Sequence, residues 1–381
     1  MRSAMTYGLL LCGCVFRKVL RFEILVMNQQ QLNILVNAVQ HNCDISDARH
    51  GADYSLCVYL MKMREYYRWE QRLPYGAALE KDAVGNWLQA REQLWEALED
   101  ADWQSLCIAE QEYDPYDANA INQALAPHGL VYSSGLGQRA KPHFFLGRLE
   151  RRTRIGGYSV YVAAAEYARD LTAPPAMSLG DQIFLRRESL RRVLWEKLES
   201  WRWNRPDNAL GQAFACYDFD ADLEGSLTAM TDCEIDNTLL HEQGEYLAGN
   251  ILDNAAWNAM LLDLIQTPAE LMARAVRDHL ADCLVTLPGI GDRLAADMAT
   301  GCAALHFYIG NLSPMRAKIF PKLESFYQTW RQHHDNTALR DLAKLGRAHW
   351  QRLGRQMIGL HRTHGSGAAP MIRDLIEQNP L

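Results

Sequence analysis

The sequence lacks the short motifs that identify the most familiar enzyme families. It contains no G-x-G-x-x-G or P-loop pattern, no G-x-S-x-G nucleophile turn and no zinc-finger spacing. Each of these motifs supplies a particular chemistry: backbone amides for a nucleotide phosphate, an activated serine, or a closed set of zinc ligands. Their absence gives no support to nucleotide-dependent enzymes, α/β-hydrolases or zinc-finger proteins.

Paired cysteines and an excess of positive charge are also missing. The nine cysteines are scattered, and no two of them are separated by two residues, which argues against a zinc ribbon and a disulfide framework. We expect reduced thiols in a cytoplasmic protein. The chain has 39 basic and 46 acidic residues and a net charge of −7, so nucleic acid is an unfavoured partner for the chain as a whole.

An apolar run long enough to cross a bilayer is absent as well. The N-terminal candidate, residues 9–16, is too short for a transmembrane helix and is followed at once by Arg17 and Lys18. We expect one of two explanations for residues 1–26. They are a leader segment, or the start codon is misassigned and translation begins at Met27. The second interpretation is favoured because nothing further along resembles an exported protein.

The apolar periodicity predicts a mainly α protein. Helical spacing recurs through most of the chain, whereas β-branched and aromatic residues separated by glycine-containing turns cluster between about residues 129 and 162. That cluster predicts a small antiparallel sheet in a helical N-terminal part, followed by a C-terminal helical bundle. Because the segment 171–177 contains Pro174 and Pro175, we expect an α+β domain over residues 27–172 and an all-α bundle domain over residues 178–381.

Several helix starts can be predicted from capping residues and prolines. Thr267 followed by Pro268 indicates one start, and Pro314 and Pro321 indicate two more. Ser178, with an aspartate three residues later, predicts the start of the first bundle helix.

One stretch, residues 231–252, carries ligand-type side chains at helical spacing. Glu234, His241 and Glu245 are separated by seven and four residues, so in a helix they project from one face, with small residues such as Gly244 beside them. Small residues would let another helix approach closely. A buried carboxylate is costly unless it is paired or binds a metal, and helical bundles bind one or two ions through Glu and His. The stretch therefore predicts a metal site, with iron, manganese or zinc as candidate ions.

Two further histidines lie on apolar faces of later predicted helices. His279 belongs to the helix that begins at Pro268, and His306 belongs to the next one. If these helices pack beside the first, His279 and His306 complete the metal site or orient a water molecule. The spacing HEQGE matches neither HExxH nor ExxH, so a hydrogen-bonded polar seam that fixes helix register is the alternative, with both histidines as ordinary core residues.

The segment between these two helices resembles the helix-hairpin-helix motif of DNA repair and ligase proteins. The matching residues are Pro288, Gly289, Ile290, Gly291, Arg293 and Ala295. The resemblance covers a short segment only, and it implies a hairpin whose backbone amides contact a phosphate. A tight turn between two helices, in which glycine supplies the positive φ, is the alternative interpretation.

Three functional hypotheses follow. The leading one is a metal-binding helical-bundle enzyme with redox or hydrolytic chemistry, in which Glu234, His241, Glu245, His279 and His306 are the candidate metal ligands. The second is a non-enzymatic scaffold or regulator with a buried polar seam, and the third is a nucleic-acid accessory protein that uses the PGIG segment. The expected partner is a small molecule or another protein, and the sequence leaves open whether the protein is an enzyme.

Overall fold

The computed structural model describes residues 27–137 and 140–381, and α-helices dominate these residues. This confirms the prediction of a mainly α protein. The predicted leader or misassigned start, residues 1–26, lies outside the described residues.

The N-terminal part combines helices with a sheet. Its elements in chain order are α1 (Gln29–His50), α2 (Leu56–Glu70), α3 (Lys81–Leu98), β1 (Leu106–Ile108), β2 (Gln111–Tyr113), α4 (Ala118–Leu125), β3 (Leu130–Leu136), β4 (Pro142–Ile155), β5 (Tyr158–Arg169), β6 (Ala176–Leu179) and β7 (Gln182–Arg186). Helix α1 packs across the sheet, where the Cys43 thiol contacts the Phe144 carbonyl oxygen at 3.2 Å. The second half of α1 is consequently buried.

The main sheet has five strands in the order β3-β4-β5-β7-β6. Neighbouring strands are antiparallel except β5 and β7, which are parallel. Register shifts between Leu146 and Arg151 mark β-bulges, which bend the long β4–β5 pair. The prediction of a small antiparallel sheet is therefore too limited, because the sheet is mixed and includes strands beyond residue 162.

The predicted helix start at Ser178 is wrong. Ser178 lies in β6, which pairs with β7 through a two-residue turn of Gly180 and Asp181, and Gly180 has a φ of +58°. Glycine followed by aspartate is a typical two-residue hairpin turn, since glycine adopts positive φ without strain. The first helix of the C-terminal part begins only at Arg187.

The C-terminal part is helical. Its helices are α5 (Arg187–Asn204), α6 (Ala209–Phe214), α7 (Leu223–Leu252), α8 (Asn254–Asp263), α9 (Pro268–Ala281), α10 (Leu287–Ala296), α11 (Met298–Gly310), α12 (Pro314–Ile319), α13 (Pro321–His333), α14 (Thr337–His364) and α15 (Ala369–Glu377). The predicted starts at Pro268, Pro314 and Pro321 are confirmed. Proline is favoured at the first helical position because its missing N–H would have no intrahelical acceptor there.

Helices α9 and α10 are joined by a π-helical turn, Asp282–Thr286, rather than by a hairpin. The predicted helix-hairpin-helix turn and the alternative tight turn are therefore both wrong at Pro288, which lies within a continuous helical stretch. Proline cannot donate the regular helical hydrogen bond and its ring crowds the carbonyl four residues earlier. A wider turn immediately before Pro288 relieves this conflict, and the Leu287 N–H bonds the Asp282 carbonyl five residues back.

Across the residues with described positions, none of the helices is both long enough and apolar enough to cross a membrane.

Candidate metal centre

Helix α7 and helix α9 approach each other closely at Gly244. A Cβ atom added to Gly244 would lie 2.3 Å from the Ala281 carbonyl oxygen, so only glycine fits at this crossing. The expectation that small residues let another helix approach α7 is confirmed. The close crossing brings side chains from the middle of α7 against the C-terminal end of α9.

Three potential ligands meet at this crossing. One ligand atom from each of His241, Glu245 and Asp278 lies within 4.8 Å of the others, and all three side chains are partly exposed. Within the ranges 27–137 and 140–381, they form the one group of three or more His, Cys, Asp or Glu residues with such spacing. We call these three residues the metal cluster.

The metal cluster lines a cavity of about 750 Å³. Its walls come from α7, α8 and α9 on one side and from β6 with the end of β3 on the other. Ser178 of β6 donates a hydrogen bond to Glu242 of α7, which connects the two walls. The cluster therefore lies at a junction between sheet and helices, where ligand sites commonly occur.

His241 is oriented by a buried carboxylate. Its Nδ1 is 2.8 Å from Asp282 Oδ1, which leaves Nε2 as the ring nitrogen that can bind an ion. Burial lowers the pKa of His241, but the attraction of Asp282 is stronger, and the net effect raises that pKa to about 10. Metal-binding histidines commonly use a second carboxylate in this way, because it fixes the ring orientation and strengthens the ligand.

Asp282 is itself held in place from two sides. The Tyr308 hydroxyl donates to Asp282 Oδ2 at 2.8 Å, and the Arg316 guanidinium donates to the same oxygen. Burial raises the pKa of Asp282, but the charges of Arg316 and His241 outweigh burial and hold the pKa well below its ordinary value. Asp282 is thus an ionised, fixed acceptor for His241.

Glu245 has one paired and one unpaired carboxylate oxygen. Arg277 Nε lies 2.7 Å from Glu245 Oε2, whereas Oε1 is buried and has no hydrogen-bond partner. Burial raises the pKa of Glu245 to about 7 despite Arg277. A buried acceptor without a partner is unusual and is consistent with a position for a bound cation or water.

The charge balance around the cluster also favours a cation. Four carboxyl groups surround the cluster, those of Glu242, Glu245, Asp278 and Asp282, against the two guanidiniums of Arg277 and Arg316; Arg274, which also lines the cavity, is paired with Glu270. With a neutral His241, the residual charge corresponds to one divalent ion. Without such an ion, protons bound to His241 and Glu245 would balance this negative charge, which agrees with the raised pKa values of both groups.

Glu234, a predicted ligand on the same helix, lies outside the metal cluster. It is buried, with Asn237 Nδ2 donating to Oε2 at 3.0 Å and with Oε1 unpaired. Burial raises its pKa to about 8, although Asn237 and Arg293 oppose this shift. Glu234 does not line the cavity that contains the cluster.

The two predicted histidines are also engaged elsewhere. His279 donates from Nε2 to the Arg316 carbonyl at 2.9 Å and stacks on Trp350, and burial lowers its pKa to about 3. His306 Nδ1 is hydrogen-bonded to the Tyr327 hydroxyl at 2.8 Å, and burial lowers its pKa to about 4. The structure thus brings His241 and Glu245 together and leaves His279 and His306 outside the cluster.

Sequence reasoning missed Asp278 as a ligand, although a signal for it exists. Asp278 and Asp282 are four residues apart, as are His241 and Glu245, so α7 presents two polar side chains on one face, and so does α9 with the π-helical turn that continues it. The i, i+4 pairs face each other across the Gly244 crossing. Recognising that pairing requires the packing of two helices far apart in sequence.

Two domains of one known protein family match most of the chain. The N-terminal domain of a family of unknown function (DUF6866) matches residues 34–186, and the C-terminal domain of the same family matches residues 191–379. The junction between the two matches falls at the end of the sheet and the first residues of α5. No curated protein and no solved structure matches the chain. Because both domains are present and together span most of its length, the chain belongs to the DUF6866 family.

Proposed function

We propose that the protein binds one divalent transition-metal ion through His241, Glu245 and Asp278. The observation that carries this proposal is the convergence of their ligand atoms to within 4.8 Å beside a cavity. One imidazole nitrogen and two carboxylate oxygens form a mixed donor set that suits manganese, iron or zinc. Asp282 would serve as the acceptor that orients His241.

We further propose that the bound ion serves a hydrolytic reaction. Three protein donors leave coordination positions for water and substrate, and the adjoining cavity has room for a small molecule. Glu242, next to His241 in sequence, also lines the cavity, and burial raises its pKa. A carboxyl group with a raised pKa near a metal-bound water can act as a general base.

The cytoplasm is the proposed location. All seven cysteines among the described residues are free thiols, which supports a reducing compartment.

Calorimetric titration of the chelator-treated protein with Zn²⁺ or Mn²⁺ tests the binding proposal. We expect one site, with affinity reduced roughly 10-fold to 100-fold or more in Glu245→Gln and in Asp278→Asn. Asp236→Asn, at an exposed position on α7, is the matched control and should bind like the wild type. Unaltered affinity in both cluster variants would refute the assignment.

The hydrolytic proposal has a separate test. The metal-loaded protein should cleave at least one of a set of chromogenic carboxylic, phosphomonoester and phosphodiester substrates, and Glu242→Gln should lose activity while retaining metal. A metal-loaded protein that is inactive on the whole set would contradict the reaction class without contradicting the metal site.

A structural polar seam is the second candidate, and specific contacts favour it. Glu245 pairs with Arg277, and Asp282 pairs with Arg316, so two of the carboxylates have partners without a metal. In that case no metal binds, and Glu245→Gln lowers the melting temperature by leaving Arg277 unpaired.

A further inference from the structure

A second cavity, of about 290 Å³, is rich in arginine. It lies among the end of α2, the segment after it, the end of β5, helix α5 and the first turn of α7. Five arginines and three glutamates line it: Arg68, Arg72, Arg169, Arg191, Arg192, Glu65, Glu188 and Glu224. We call it the arginine cavity.

The glutamates of the arginine cavity already have partners. Glu65 accepts from Arg68 Nε at 3.1 Å, and Glu224 accepts from Arg191 and from the Tyr75 amide. Every arginine of the lining has a carboxylate oxygen within 4.0 Å, and the longest of these distances belongs to Arg169.

Glu188 is similarly occupied. Its Oε2 accepts from the Glu166 amide at 2.6 Å, and Arg72 reaches its Oε1 only at 3.4 Å. The Arg72 side chain is 55% exposed, so it lies where a ligand entering the cavity can reach it.

Arg169 is the buried arginine with the weakest compensation. Its side chain is 2% exposed, its Nε has no hydrogen-bond partner, and the nearest carboxylate oxygen, Glu166 Oε2, is 3.8 Å away. Among the hydrogen bonds of the described residues, none is donated by its guanidinium. Burial and the nearby Arg192 lower the pKa of Arg169, which reflects how poorly this charge is balanced.

Two more buried donors of the same lining also lack partners. Trp69 Nε1 and Arg192 Nε have no hydrogen-bond acceptor, although Arg192 is paired through its other nitrogens. The Trp69 ring lies near both Arg169 and Arg72, whose guanidiniums are 4.7 Å and 5.5 Å from ring centroids. The unused donors therefore come from α2, β5 and α5, and the residues that carry them line one small cavity.

We propose that the arginine cavity binds a phosphate group, either as inorganic phosphate or as a small phosphomonoester. Guanidinium and indole N–H groups only donate, so the complementary ligand must present acceptor atoms to them. A tetrahedral oxyanion matches the fork of an arginine and neutralises buried positive charge. The cavity volume is at the small end of ligand pockets, which suits a phosphate with little attached to it. This site is independent of the metal centre.

Calorimetric titration of the full chain with inorganic phosphate, at constant ionic strength, tests the proposal. We expect saturable binding that weakens about 5-fold to 10-fold in Arg72→Ala and in Trp69→Phe, since each loses one donor or charge. Arg169→Met should abolish binding. Because Arg169 is buried and its variant could misfold, the exposed Arg72 variant provides the independent readout. Arg154→Ala, an exposed arginine on β4, is the matched control and should bind normally.

A parallel titration with phenyl phosphate distinguishes the two sources of the group. Tighter binding of phenyl phosphate supports a phosphomonoester, and tighter binding of inorganic phosphate supports the free ion. No phosphate binding, equal binding of acetate, or unchanged affinity in both Arg72→Ala and Trp69→Phe would overturn the proposal.

Discussion

Asp282 is the residue on which the orientation of the His241 ligand depends. It is buried and contacts His241, Tyr308 and Arg316. Replacing it would remove the nearest counter-charge of Arg316 and leave only the more distant Asp278, so loss of metal binding in an Asp282 variant could follow from unfolding. Tyr308 offers a gentler change, because its hydroxyl contributes one hydrogen bond to Asp282 and no charge.

We predict that Tyr308→Phe lowers metal affinity by about 3-fold to 10-fold while the protein stays folded. The lost hydrogen bond loosens Asp282 and, through it, His241. Calorimetry with Zn²⁺ measures the affinity, and circular dichroism checks the fold. An affinity equal to that of the wild type would show that Asp282 does not tune the ligand.

Glu234 makes the stability of the protein depend on pH. Its pKa is about 8 in the folded protein against an ordinary value of 4.5, because burial disfavours the charged form. Folding therefore favours the neutral acid. The resulting contribution to the free energy of unfolding is fully present below about pH 4.5. That contribution is lost as the pH rises towards 8.

We predict that Glu234→Gln removes this pH dependence. Below about pH 4.5 the variant and the wild type should have similar free energies of unfolding, and above pH 8 the variant should be more stable by roughly 3–5 kcal/mol. Urea denaturation across this pH range, with chelator present, measures the difference. The exposed Asp236→Asn should lack this effect, and a constant difference at all pH values would contradict the assignment.

The crossing of α7 and α9 is the element-scale feature that forms the metal cluster. Gly244 lies against the Ala281 backbone, which cannot move aside as a flexible side chain would. The π-helical turn immediately after α9 begins at Asp282, so a local irregularity of the helix coincides with the residue that orients His241. Such turns are frequent at functional sites.

We predict that Gly244→Ala destabilises the protein by roughly 1–3 kcal/mol and weakens metal binding. Alanine normally stabilises a helix relative to glycine by up to about 1 kcal/mol, but here its methyl group would force the two helices apart. Gly359→Ala is the matched control, because no atom lies within 4 Å of the added Cβ in α14. It should stabilise the protein slightly. If both variants are stabilising, the close crossing is absent in solution.

Local signals allowed some elements to be predicted and not others. The starts at Pro268, Pro314 and Pro321 are predictable because proline at the first helical position acts on its own first turn. Ser178 followed by Asp181 predicts a helix cap, because the local sequence does not show that β6 pairs with β7 across the Gly180–Asp181 turn. At Pro288, the PGIG segment predicts a turn, because no sequence signal shows that a preceding π-helical turn accommodates this proline within a helical stretch.

The same reasoning applies to the metal cluster. Spacing within α7 places His241 and Glu245 on one face, and the structure brings both to the cluster. Asp278 belongs to another helix, and no local pattern shows that it faces α7. Long-range packing likewise determines that His279 and His306 contact other partners.

At the scale of the whole molecule, the metal cavity is formed by both parts of the chain. Strand β6 supplies one wall and helices α7, α8 and α9 supply the other. The division into domains at residues 172–178 stays a prediction, whereas the cavity requires that sheet and helices remain in contact. A ligand in the cavity would therefore contact both.

The central claim is that His241, Glu245 and Asp278 hold one metal ion. Its most direct test is the metal content of the full chain, purified without an affinity tag or chelator and measured by plasma mass spectrometry. The wild type and Glu234→Gln should each contain about one manganese, iron or zinc ion per chain, whereas Glu245→Gln should be nearly empty. A wild-type protein that stays empty after incubation with these metals, or a Glu245→Gln variant with full metal content, would contradict the claim.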